Sequence, residues 1–124
     1  MEEIKQIIDD LGIEAFESNT KIAGLAVVSD SGKLIIQTSN WDLTKHTNSI
    51  LNVMKGEPSI NLSGMDFNII EKAPGKIGTS EMGHVLFVPF QGGVLVAFAM
   101  PRADTFKALS FLKPYAMRLN GKLS

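Results

Sequence analysis

The stretch that most restricts the fold is HVLFVPFQGGVLVAFAM, residues 84–100: two almost wholly apolar runs joined by Gln91-Gly92-Gly93. Neither run approaches the ~20 residues that a membrane-spanning helix needs. β-branched and aromatic residues on both sides of a paired glycine read as a hairpin of strands 84–90 and 94–100. Strands that are apolar on both faces must be covered on both, so this hairpin belongs in the middle of a sheet. Residues 22–38, IAGLAVVSDSGKLIIQT, read as a second hairpin. Its first strand, 22–29, is again apolar on both faces, whereas 33–38 carries polar Lys33 and Gln37. The Ser29-Asp30-Ser31-Gly32 link would suit a phosphate cradle only if a helix opened behind it. Lys33-Leu34-Ile35-Ile36 continues as a strand, so the link reads as a turn: Asp and Ser bond their own backbone and Gly32 takes a positive φ.

Around these hairpins the pattern changes period. Ile4, Ile7, Ile8, Leu11 and Ala15 or Phe16 recur at helical spacing, with Glu2 and Glu3 where a helix dipole favours anions, predicting an amphipathic helix over 2–18. In NWDLTKHTNSILNVMKG, Asp42 or Thr44 can cap a helix with a thin apolar face of Leu43, Ile50, Val53 and Met54, ending at Gly56. EPSINLSG reads as a loop, MDFNII as a half-buried strand alternating Met65, Phe67 and Ile69 with polar neighbours, and APGKIG as a turn. The last segment, 103–120, sets Phe106, Leu109, Leu112, Ala116 and Leu119 on one helical face. Pro114 is expected to kink or split it by removing a bond to the Ser110 carbonyl.

These elements describe an α+β chain in the order αββαβββα, one domain over residues 1–124. Keeping the three doubly apolar strands inside requires a five-stranded antiparallel sheet in the order 2-1-5-4-3, with helices on both faces. The short second helix is then scant cover for its face. A homodimer would supply the remainder, and strand 65–70, with Met65, Phe67 and Ile69, is expected to be an exposed edge available for pairing with a second copy.

Composition narrows the chemistry. Twelve basic and thirteen acidic residues leave a net charge of −1, too little field for nucleic acid or an anionic membrane as partner. The absence of cysteine removes disulfides, a thiolate nucleophile and Cys-ligated zinc. The acidic start, MEEIKQIIDDLG, lacks the basic region and unbroken apolar run of a signal peptide, so a cytoplasmic location is expected. His46 and His84 have no companion at metal-binding spacing, and GKIGTS, 75–80, lacks the spacing of a phosphate loop. No GxSxG elbow presents a serine, and Asp9-Asp10 lies on the polar face of the first helix. No cofactor and no enzymatic activity are expected. Trp41, the sole tryptophan, reads either as packing over the second helix or as an exposed partner-binding anchor.

The element order, with IAGLAVVSDSGKLIIQT and GHVLFVPFQGGVLVAFAMP leading into a closing helix, resembles the Roadblock/dynein light chain family over residues 3 to 120. Profilin-like and longin-like sheets share that architecture. The Roadblock resemblance implies a non-enzymatic dimeric platform, formed with a second copy or a paralogue, that scaffolds or regulates a small Ras-like GTPase. It also implies a partner-facing second helix, here including Leu43, His46, Ile50 and Met54 beside Trp41. Only Arg102 and Arg118 could serve as an arginine finger, so such a platform would act by reordering the GTPase's switch loops. Two other functions fit a sheet of this kind: sensing of a small apolar or anionic ligand held between helix and sheet, and profilin-like actin binding.

Overall fold

The computed structural model describes residues 3–38 and 41–123. Helix α1 (Ile4–Glu17) leads into strands β1 (Ile22–Ser29) and β2 (Leu34–Gln37), then α2 (Thr47–Met54). Strands β3 (Ser59–Leu62), β4 (Met65–Lys72), β5 (Gly75–Ser80), β6 (Gly83–Phe90) and β7 (Gly93–Ala99) follow, and α3 (Thr105–Leu119) closes the chain. All the strands join one antiparallel sheet in the order β2-β1-β7-β6-β5-β4-β3.

The double-sided apolarity of the central strands builds two cores. Along β1, Leu25 and Val27 meet α1 and α3, together with Leu86, Val88, Leu95 and Leu109. Ala26 and Val28 face the other way, with Val85, Phe87, Val96, Leu43 and Ile50 on the α2 side. The Ser29-to-Gly32 link is a hairpin turn: Gly32 has φ +88°, and the Lys33 N–H donates to Ser29 Oγ at 3.1 Å.

The sheet has seven strands, not five, and its order differs accordingly. SINL, read as loop, is β3, with Ile60 and Leu62 buried. GKIGTS, read partly as a turn, is β5, inserted between the strands expected to be neighbours, β4 and β6. Its glycines are packing requirements rather than breaks. A Cβ on Gly75 would overlap the Phe87 carbonyl oxygen, and one on Gly78 would lie 2.7 Å from Val85 Cγ1. β4 pairs with β3 over residues 65–68 and with β5 over residues 68–72, so Met65, Phe67 and Ile69 each face a neighbouring strand and do not form a free edge. The outer strands are β2 and β3, each four residues long.

Cover for the α2 face also comes from within the chain. The segment before α2 is held by Asp42, whose carboxylate accepts from the Thr44 N–H at 3.0 Å and from its hydroxyl at 2.6 Å, and by the Leu43 N–H donating to Gln37 Oε1 at 2.8 Å. This drives Leu43 fully into the core beside Ile50 and Val53, and Ile60 and Leu62 of β3, read as loop, add cover on the same side, so the dimer argument loses its premise. Buried Lys76 of β5 pins the far end of α2, donating to the Val53 carbonyl at 2.8 Å and pairing with Glu71 at 3.3 Å.

Helix α1 begins at Ile4 with Glu3 as its N-cap; Glu2 lies outside the described residues. Of the kink or split expected at Pro114, the split does not occur: helix α3 runs unbroken through the proline. Arg118 ties α3 to α1 through Asp10 at 2.8 Å, and that bond, with one from Gln6, holds the Asp10 carboxyl below its ordinary value. No helix among the described residues is long and apolar enough to cross a membrane.

Candidate partner-binding surface

The five residues expected to face a partner do not share a surface. Leu43 and Ile50 are core side chains. His46 is the N-cap residue of α2, its Nε2 accepting from the Ser63 N–H at 3.4 Å. Met54 is half-buried at the helix end, and half-buried Trp41 packs against Phe98 at the end of the sheet. Phe67 is buried, while Met65 and Ile69 pack half-buried on the same α2-side core. Among the described residues no three His, Asp or Glu side chains gather as metal ligands. His84 is instead engaged structurally, with Nδ1 3.2 Å from Thr79 Oγ1 and Nε2 3.1 Å from the Pro101 carbonyl oxygen.

The open surface follows from the width of the sheet. Helices α1 and α3 pack over its centre, and β4 extends past them. Ile70 of β4 lies opposite Ile77 of β5, whose side chain belongs to the α1/α3 core, so Ile70 shares that face. Beyond the helices it is 52% exposed. Lys72, two residues along the same face, reaches back so that its Nζ lies 4.8 Å from the centre of the Phe106 ring in the first turn of α3. Phe106 is itself 51% exposed. The Asp104 carboxylate caps this turn by accepting from the Lys107 N–H at 3.2 Å, fixing where Phe106 emerges.

Two large apolar side chains beside a cation on an uncovered sheet face suit a protein partner, because burying them removes apolar area from water while the lysine supplies charge recognition. Sequence reasoning assigned Phe106 to the buried helix face and gave Ile70 no role. The available signal was Ile70 itself, an apolar residue in phase with polar Asp66 and Asn68.

No protein-family model matches the chain. Among curated proteins, it is 34% identical to Loki profilin-1 of Lokiarchaeum sp. (strain GC14_75), across 95% of this chain and 96% of that one. The chain belongs to the profilin family. Loki profilin-2 of the same organism is 32% identical over the same shares. Among solved structures, this profilin superposes on LokiProfilin2 in its complex with rabbit actin with a TM-score of 0.81 and 30% identity, covering 96% of this chain and 97% of that one. The crystal structure of LokiProfilin1 gives a TM-score of 0.79 at 31% identity, with coverage of 96% and 97%.

Profilin membership overturns the Roadblock reading and, with it, the small GTPase as partner: the complexes among its structural neighbours are with actin. The resemblance misled because it rested on hairpins and a closing helix, a pattern that several sheet families use. That LokiProfilin2 and LokiProfilin1 were solved in complex with actin is consistent with the expectation that the chain is not an enzyme.

Proposed function

We propose that this profilin binds actin, and that the Ile70, Lys72 and Phe106 surface contributes to the contact. The observation that carries the reading is the end-to-end likeness, at 30% identity, to a profilin solved in complex with rabbit actin. The exposed apolar and cationic surface supports it from the chain itself: a half-exposed aromatic beside a lysine is the kind of anchor that dominates protein interfaces. A cytoplasmic location belongs to the same reading.

The experiment is a titration of fluorescently labelled monomeric rabbit actin, read by anisotropy, with a parallel assay of filament assembly. Saturable binding by the wild-type chain is expected. Phe106→Asp should weaken it at least tenfold, equivalent to about 1.4 kcal/mol, with the melting temperature little changed because Phe106 is half-exposed. No binding by the folded wild-type chain would overturn the actin reading. Full binding by Phe106→Asp would leave actin as partner and remove this surface from the contact.

A further inference from the structure

On the opposite face of the sheet from Ile70, an apolar hollow lies between Trp41, Phe98 and Met65. Across Ala23 and Met100 it adjoins a second one that reaches Lys21 and Arg102 at the sheet's end, and the two together make a groove. We propose that this groove is a second docking site, taking a short extended segment of a partner protein that carries a bulky apolar side chain next to carboxylates.

Its floor is a pair of aromatic rings with centroids 6.1 Å apart, tilted by 59°. Each ring is seated on a glycine. A Cβ on Gly24 would lie 2.9 Å from Trp41 Cε3, and one on Gly83 would lie 2.6 Å from Phe98 Cζ. The backbone has been stripped of side chains so that the rings can lie down on it and leave an open trough above. Met65 and Met100 form the walls, and Met100 is 48% exposed. Methionine walls adapt to differently shaped apolar anchors.

The charge at the end of the groove sets the rest of the occupant's chemistry. Lys21 and Arg102 both line it, no carboxylate does, and among the described residues neither side chain forms an ion pair. Two free cations in a chain of net charge −1 are a local arrangement rather than part of a basic field. The segments carrying them are fixed. The Lys21 carbonyl accepts from the Met100 N–H at 2.9 Å, and the Pro101 carbonyl is held by His84 at 3.1 Å. Lys21 keeps its place at φ +63°, in the left-handed region where glycine would be easier. Two cations are too few for an anionic bilayer, which calls for clusters of about four to eight, but they match one or two carboxylates on a peptide.

Trp41 is the only tryptophan, so its emission reports on the groove alone. The full chain is titrated with a pool of capped synthetic peptides, each with a central Leu, Ile or Phe flanked by Asp and Glu, and separately with the same pool carrying Lys in place of the acids. The expected result is a saturable change in Trp41 emission with the acidic pool only. It should weaken at least tenfold in the K21E/R102E variant, whose surface substitutions leave the thermal melt in place. Phe106→Asp should retain peptide binding whatever it does to actin, which separates failure of this site from failure of the actin reading. Equal responses to the two pools, no response to either, or undiminished binding by the charge-reversed variant would overturn the proposal. A response to phosphatidylserine vesicles without one to the acidic peptides would reassign the groove to a membrane.

Discussion

Tyr115, the sole tyrosine, is buried where α3 meets α1. Burial, reinforced by a hydrogen bond to the Glu14 carboxylate and by its charge, pushes the phenol up to about 12 from 10.0. An ionised ring would be poorly hydrated and beside the Glu14 carboxylate, a cost that Arg118, 5.4 Å from the ring centre, offsets only in part. The folded chain therefore holds this proton more tightly than the unfolded one, so the contribution is complete below pH 10.0 and is lost as pH rises towards about 12. Phenolate absorbance of the folded protein should titrate near 12, and Tyr115→Phe should flatten the decline of the melting temperature in that window. Gly75 illustrates the opposite kind of residue, one whose importance lies in what it lacks. A methyl there would strike the Phe87 carbonyl, so Gly75→Ala should cost about 1–3 kcal/mol, the usual range for overpacking, read as a fall in melting temperature. Neither effect is visible along the chain. Tyr115 falls outside the expected apolar stripe of the last helix, and Gly75 and Gly78 look like turn residues until a neighbouring strand is placed beside them.

At the scale of elements, legibility tracked length and periodicity. The apolar spacing of α1 and α3 and the paired hairpins β1–β2 and β6–β7 stand out because each repeats its pattern several times. β3 has only Ile60 and Leu62 to mark an alternation, set among Ser and Asn, and its burial depends on β4 and α2 arriving from elsewhere. Helix α3 is the instructive exception, since Pro114 signals a kink or a split and the helix is not split. Tyr115, Ala116 and Leu119 beyond the proline are all buried, and packing them outweighs the hydrogen bond lost at Ser110. The cost is still present in the native state, and Pro114 is exposed. Pro114→Ala should therefore stabilise the chain. The gain should be about 1–2 kcal/mol, the helix-propensity difference of roughly 3 kcal/mol less the greater entropy of an unfolded chain without proline. Reversible thermal unfolding, monitored by far-ultraviolet circular dichroism, measures it directly.

At the scale of the whole molecule, the contrast between doubly apolar and singly apolar strands was enough to join β1 to β7 at the centre, but not to count the strands outside them. That miscount produced both the expected free edge and the expected dimer. A sheet ending at residues 65–70 would leave that whole strand unpaired along one side, and such an edge invites a second copy. The real sheet continues through β4 to β3 and ends at four-residue strands on both sides, while Ile60 and Leu62 of β3 add to the face that seemed short of cover. Short edges offer few hydrogen bonds to another chain. Sedimentation at micromolar concentration should accordingly give a single species near 13.5 kDa, unchanged on dilution. A species of twice that mass, dissociating on dilution, would mean that exposed groups such as Phe16 and Ile13 on α1 bring copies together without strand pairing. Charge substitution at Phe16 would then restore the monomer, whereas a proline in β2 would not.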